Sequence, residues 1–165
     1  YRRQRQMCIR DRSNAMSNPL KATKFGLPFR HVPTYLAGYY KYKAGDQFTE
    51  GGKPVNEKRD ICDIYAIMYE TSESVPTLDG TNAFTSPNLI STARINNAKE
   101  TNEWTYFKLP FTTLPGKFID KEKLMDGKYN IAIVFTSSLE GDHFNGAIGS
   151  TLLIDEAELI YHSED

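Results

Sequence analysis

The sequence predicts an all-β protein, an antiparallel two-sheet β-sandwich of jelly-roll type. Three observations carry that expectation. Helical periodicity is nearly absent, while short alternating or fully apolar runs rich in Ile, Val, Tyr, Phe and Thr recur along the 165 residues. Segments dense in Gly, Pro, Asn and Asp separate the runs, and these residue types supply the special φ angles and local hydrogen bonds of turns. Two runs, "ICDIYAIMYE" (61–70) and "YNIAIVFTS" (129–137 with Tyr129 first), are apolar on both faces. Strands of that kind sit centrally in a sheet with something lying over the second face, which two packed sheets provide.

The first twelve residues, "YRRQRQMCIRDR", hold five arginines and no apolar periodicity, and do not look like part of a fold. The following "SNAM" (13–16) resembles the scar of a removed expression tag. Residues 1–16 are therefore expected to be a non-native extension, and 17–165 a single β-sandwich domain, the C-terminal part of a longer protein. The competing reading is a basic nucleic-acid-binding arm, but such arms do not end in a tag scar.

A short strand is expected over 24–30, followed by strands at 35–43, 61–70, 89–96, 104–111, 129–137 and 152–161. The connections at 43–60, 74–88, 113–128 and 138–150 are turn-rich; within the third, "DKEKLMDGK" has room for one helical turn before "DG" stops it. Neither an internal repeat nor a low-complexity tract is present.

Lys and Arg number 20 against 21 Asp and Glu, a net charge of -1. Setting aside the first twelve residues removes five basic groups and one acidic one, leaving 15 against 20, a net of -5. Nucleic acid and anionic membranes require concentrated Lys and Arg, so neither is expected as a partner, and neutral ligands fit better. Cys8 falls in the extension and Cys62 in an apolar strand, where a small buried side chain is the expectation and no disulfide within the domain is possible. No run of 18 apolar residues exists to form a transmembrane segment.

A sugar-binding surface needs flat rings for the apolar faces of pyranoses and a few polar groups for hydroxyls. Alternation places Trp104, Tyr106 and Lys108 on one face of their strand, with Phe107, Leu109 and Phe111 on the other. Tyr39 and Lys41 line up likewise, as do Asp63, Tyr65 and Tyr69. The expected ligand-binding residues are thus Trp104, Tyr106, Lys108, Tyr39, Lys41, Tyr65 and Tyr69; the competing reading has the tyrosines only capping the sandwich edge. No catalytic residue is assigned: Asp63, Glu70, Asp142, Asp155 and Glu156 are available, but nothing pairs any two of them across a cleft, as glycoside hydrolysis requires. His143 lacks metal-ligand spacing, and no nucleophile elbow, P-loop or dinucleotide fingerprint occurs.

The last strand poses a question. In "GSTLLIDEAELIY" (149–161), strict alternation puts Leu153, Asp155, Ala157, Leu159 and Tyr161 on one face and Leu152, Ile154, Glu156, Glu158 and Ile160 on the other. The two glutamates mark their face as the wetter one, so Asp155 is expected inside, where an unpaired carboxylate is costly. Its conceivable partners are a cation such as Arg94, backbone N–H or tyrosine hydroxyl groups, or Ca2+.

The phrases "GLPFRHVPTYLAGYYKYKAGD" (26–46), "DICDIYAIMYE" (60–70), "WTYFKLPF" (104–111) and "GKYNIAIVFTSSLEGDHFNGAIGSTLLIDEAELIY" (127–161) together resemble the bacterial family called the putative carbohydrate metabolism domain. The "W-x-x-F-x-x-P-F" strand and final "IDEAEL" strand are, more loosely, similar to galactose-binding-like carbohydrate-binding modules. The resemblance implies a galactose-binding-like jelly roll in a secreted or surface-anchored protein for glycan use, any signal or anchor lying outside this sequence. It also implies a structural Ca2+ against the last strand, for which Asp155 and Asp46 are the ligand candidates; no other cofactor is expected. The leading expectation is a noncatalytic carbohydrate-binding or glycan-handling module whose partners are polysaccharides or oligosaccharides and other domains of its parent chain. The alternatives are a glycoside hydrolase using two carboxylates and a structural or adhesive spacer.

Overall fold

A computed structural model describes residues 8–10 and 23–162. The strands are β1 (Cys8–Arg10), β2 (Thr23–Phe25), β3 (Leu27–Pro28), β4 (Val32–Lys43), β5 (Phe48–Glu50), β6 (Lys53–Pro54), β7 (Asp63–Glu70) and β8 (Leu78–Asp79). They continue with β9 (Leu89–Arg94), β10 (Thr101–Pro110), β11 (Thr112–Thr113), helix α1 (Lys121–Met125), β12 (Tyr129–Thr136), β13 (Gly146–Ala147) and β14 (Thr151–His162). The protein is all-β with antiparallel sheets, as expected. Its two largest sheets have the strand orders β10-β4-β14 and β11-β9-β7-β12-β3. Helix α1 is the turn anticipated in "DKEKLMDGK": Asp120 caps it by accepting the Lys123 N–H at 3.0 Å.

The chain resolves into two compact units whose sequence boundaries fall just before β4 and within β7, β9, β11 and β12. One comprises residues 1–31, 67–92 and 113–133. Its core includes Ile67, Met68, Tyr69, Leu78, Leu89, Tyr129 and Ile131, all essentially buried. The Tyr69 hydroxyl donates to the Phe25 carbonyl and accepts from Asn130 Nδ2 at 3.1 Å, so the one polar atom of that buried ring is satisfied twice. In this unit Cys8–Arg10 pair antiparallel with Thr23–Phe25. The rest of the 1–16 extension, tag scar included, lies outside the described residues.

The second unit comprises residues 32–66, 93–112 and 134–165 and contains the whole β10-β4-β14 sheet. Strand β4 is its centre. Leu36, Tyr40 and Tyr42 on β4 and Phe107 and Leu109 on β10 are buried, the alternate set along each strand. The Tyr42 hydroxyl donates to the Ser137 carbonyl at 2.9 Å, and burial pushes its pKa up to about 12.

Strand β14 departs from simple alternation. Asp155 stands opposite Tyr39 and Glu158 opposite Ala37, so Glu156 and Ala157 together face the single residue Gly38. This is a β-bulge, and Glu156 occupies its left-handed position at φ 48°. Gly38 is required there: a Cβ would meet Phe107 Cζ at 2.9 Å, Ala157 Cα at 3.1 Å and the Asp155 carbonyl oxygen at 3.2 Å. The extra residue inverts the frame. Leu152 and Ile154 turn inward before it, Ala157 and Leu159 after it, and Leu153 and Asp155 turn out to solvent. The expectation of an inward Asp155 is therefore overturned by one inserted residue.

Candidate functional site: an aromatic and lysine face

With the inner parity of β4 and β10 committed to the core, the opposite parity forms an outer face on one sheet. Register sets it out in rows. Tyr106, Tyr39 and Asp155 lie side by side across β10, β4 and β14; Lys108, Ala37 and Glu158 form the next row, and Pro110, Tyr35 and Ile160 the one after. On the other side Leu153 stands beside Lys41, and Trp104 on β10 comes within reach of Lys41. Trp104 is 45% exposed and Tyr106 53%, high values for large rings.

The side chains on this face touch one another in a definite pattern. The rings of Tyr39 and Tyr106 lie 5.2 Å apart between centroids, tilted by 54°, a cross-strand aromatic pair. The Lys41 ammonium sits 4.8 Å from the centroid of Trp104, and that of Lys108 sits 4.3 Å from the centroid of Tyr35. Both lysines are thus held on ring faces by cation–π attraction. Neither is ion-paired with a carboxylate among the described residues. Five of the seven expected ligand residues, Trp104, Tyr106, Lys108, Tyr39 and Lys41, come together here. Tyr35 belongs with them; its parity with Tyr39 and Lys41 was the available signal.

Tyr65 and Tyr69 do not join this face. Tyr65 is 9% exposed and Tyr69 0%, because β7 is central in its sheet and covered on both sides. An alternating Tyr pattern identifies a face, but only a solvated face offers rings to a ligand. Tyr65 instead carries the Arg94 guanidinium 5.7 Å from its centroid. The same Arg94 forks onto the buried Asp63, Nη2 to Oδ2 at 2.7 Å and Nε to Oδ1 at 3.2 Å, so it is not the partner of Asp155.

Asp155 is exposed and its Oδ1 accepts the N–H of Glu156 at 2.9 Å, inside the bulge. Asp46 lies past the end of β4, whereas Asp155 is opposite Tyr39, four residues before that end. No group of three His, Cys, Asp or Glu side chains suited to a metal ion occurs among the described residues. Asp155 and Asp46 thus belong to no ready-made ligand set for the Ca2+ that the resemblance implied.

Another buried acid of the second unit, besides Asp63, is Asp60, which sequence reading passed over. Its Oδ2 accepts from Ser138 Oγ at 2.6 Å, Ser150 Oγ at 2.6 Å and the Ala147 N–H at 2.9 Å, and its Oδ1 from the Ile61 N–H at 2.9 Å. Four donors on one carboxylate tie both ends of the 138–150 loop to the start of β7. Ser150 Oγ also accepts the Gly45 N–H at 3.0 Å. Gly146 is obligatory, since a Cβ would come 2.9 Å from Ser138 Oγ and 3.2 Å from Asp60 Oδ2. The recoverable signal was a loop flanked by Ser138 and Ser150 and punctuated by glycines, a set of donors in want of an acceptor.

The other acids weighed for catalysis are engaged elsewhere. Glu70 pairs with Lys123 at 2.7 Å, and Asp142 with His143 Nδ1 at 2.8 Å on the exposed loop. Cys62 is buried, which raises its thiol to about 11, far from a thiolate nucleophile. Among the described residues no helix is long and apolar enough to cross a membrane.

Comparison with known proteins follows the same lines. The sequence pattern of the family described as the putative carbohydrate metabolism domain matches residues 10–160. A crystal structure of a putative glycoside hydrolase from Bacteroides thetaiotaomicron is similar at 87% identity and a TM-score of 0.93, covering 94% of this chain and 46% of that one. A second, of a putative glycoside hydrolase from Bacteroides vulgatus, is similar at 46% identity and a TM-score of 0.88, covering 93% of this chain and 61% of that one. The chain therefore spans about half to three-fifths of the length of these relatives. No curated protein matches it.

Proposed function

Because the chain belongs to the putative carbohydrate metabolism domain family, we propose that it is a noncatalytic carbohydrate-binding module and that the outer face of β10-β4-β14 is its sugar platform. One observation carries the reading: Trp104, Tyr106, Tyr39 and Tyr35 share a single solvated sheet face, interleaved with lysines. A ring face binds the C–H side of a pyranose, and neighbouring polar groups bind its hydroxyls. The localisation that goes with this function is the cell surface or the extracellular medium, where polysaccharides are met, and the other partners are further domains of a parent chain.

Glycoside hydrolysis is less well supported. It asks for two carboxylates on opposite sides of a scissile bond. The outward acids of the platform, Asp155 and Glu158, lie on one strand and on one side of it. The hydrolase names belong to proteins with much sequence beyond the matched region.

Affinity electrophoresis or a glycan array with the wild type and with Trp104→Ala and Tyr106→Ala tests the proposal. Retention by at least one polysaccharide, lost in both variants while their melting temperatures stay at the wild-type value, is the expected result. Silence across plant, host and microbial polysaccharides ends the binding reading.

A further inference from the structure

The two lysines of the platform narrow the ligand. Outward positions on β4 and β10 include Lys41, Lys43 and Lys108, with Glu103 the one exposed carboxylate, at the irregular end of β10, whereas Asp155 and Glu158 stand on β14. Charge on the sheet is therefore segregated: the aromatic half is cationic although the chain as a whole is at -1. Lys41 and Lys108 stand on the faces of Trp104 and Tyr35 and, among the described residues, have no acid partner. A neutral sugar stacking on either ring has to displace an ammonium and forfeit the cation–π attraction. A sugar carrying an anion compensates that loss, because the ammonium leaving the ring pairs with the arriving charge as the ring face opens. On the assumption that this face is the sugar platform, we propose that its ligand is an acidic polysaccharide, one whose sugars carry carboxylate or sulfate groups.

Spacing adds a second feature. Lys108 is in register with Ala37, four residues before Lys41 on β4, which places the two attachment points about 13 Å apart along the sheet at ~3.3 Å per residue. Between them lies the Tyr39–Tyr106 pair. The face thus reads two anionic substituents separated by more than one sugar ring, with an aromatic contact between them, which favours a polymer over a single acidic sugar.

The test is binding to polymers matched in backbone and differing in charge: polygalacturonate against its carboxyl-reduced form, and dextran sulfate against dextran. The wild type is compared with Lys41→Gln/Lys108→Gln, with Trp104→Ala, and with Lys53→Gln, an exposed lysine on the small sheet β13-β5-β6. The wild type is expected to bind one acidic polymer about tenfold or more tighter than its neutral partner, since each exposed charge pair contributes a factor of up to about five. Whether the carboxylate or the sulfate pair shows the preference identifies the anion. The double lysine variant should bring that ratio below about two, Trp104→Ala should weaken both polymers, and Lys53→Gln should change neither. Equal or tighter binding of neutral polymers that still depends on Trp104 overturns the anionic ligand and leaves the platform standing. Acidic-polymer binding that survives Trp104→Ala, or falls as much with Lys53→Gln, reduces it to diffuse charge attraction and also overturns the proposal. Failure of every polymer to bind removes the platform reading itself.

Discussion

Strand β7 with its surroundings and the outer face of β10-β4-β14 draw on the same side chains, tyrosine, aspartate and a long cation, and use them in opposite ways. Around β7, Tyr69 is sealed and bonded to Phe25 and Asn130, and Asp63 and Asp60 are buried with charged or hydroxyl partners. On the outer face, Tyr106 and Asp155 meet water, and the lysines rest on rings instead of acids. The lesson is that residue type and spacing do not assign a role. Cover does: a polar group beneath a second layer must find its partners within the protein, and one on an open face retains them for a ligand.

The largest expected break of this contrast is at Asp60. Removing the carboxylate strands two seryl hydroxyls and two backbone N–H groups, so Asp60→Ala should destabilise by about 3 kcal/mol in chemical denaturation. The loss should appear first as faster amide exchange in the 138–150 loop. A loss under about 1 kcal/mol would mean that water replaces the carboxylate and that Asp60 is no keystone.

Next in size are the paired substitutions Tyr69→Phe and Tyr106→Phe. The first deletes a buried hydroxyl with two partners and should cost about 1–2 kcal/mol while leaving polysaccharide binding alone. The second should stay within about 0.5 kcal/mol of wild type and act on binding only. Equal effects on stability would erase the distinction between covered and open tyrosines.

Glu100 falls between the two settings, and its effect is read through pH. Arg59 holds its carboxylate in a bidentate pair and the Ala44 N–H donates to it at 2.9 Å, which lowers its pKa from an ordinary 4.5 to about 2. A depressed acid contributes fully above its unfolded value and loses that contribution as the pH falls toward the folded one. Stability should therefore decline between about pH 4.5 and pH 2 more steeply in the wild type than in Glu100→Gln. Because the pair is solvent-screened the difference is small; parallel acid-denaturation curves would show that the pair contributes nothing.

How much of this was legible beforehand follows from the same contrast. Period-two alternation separated Trp104, Tyr106 and Lys108 from Phe107 and Leu109 correctly, because β10 has one wet and one dry face. On β7, where both faces are dry, alternation still sorted the residues but carried no information about exposure, and Tyr65 and Tyr69 were misassigned. Asp60 was overlooked because three of its four donors come from loop residues 78 to 90 positions away, a distance at which local pattern says nothing. Strand β14 failed for a third reason. A bulge looks like any other dipeptide, and no glycine marks this one: the left-handed position holds Glu156, while the telltale glycine is Gly38 on the facing strand.

That bulge supplies the smallest prediction and the one that bears most directly on Asp155. With the frame inverted, its carboxylate faces solvent and accepts the N–H of the next residue. Such a group can be replaced cheaply, so Asp155→Asn, which keeps an oxygen acceptor for that N–H, should change stability by less than about 0.5 kcal/mol. The alternative, a buried acid held by calcium, makes a different forecast: millimolar Ca2+ would raise the melting temperature over chelator, and Asp155→Asn would abolish the rise. A wild-type melt indifferent to Ca2+ together with a silent Asp155→Asn places the residue with Tyr106 on the open side of the comparison. A calcium-dependent shift would return it to the covered side, and would require that the bulge at Glu156 not invert the strand.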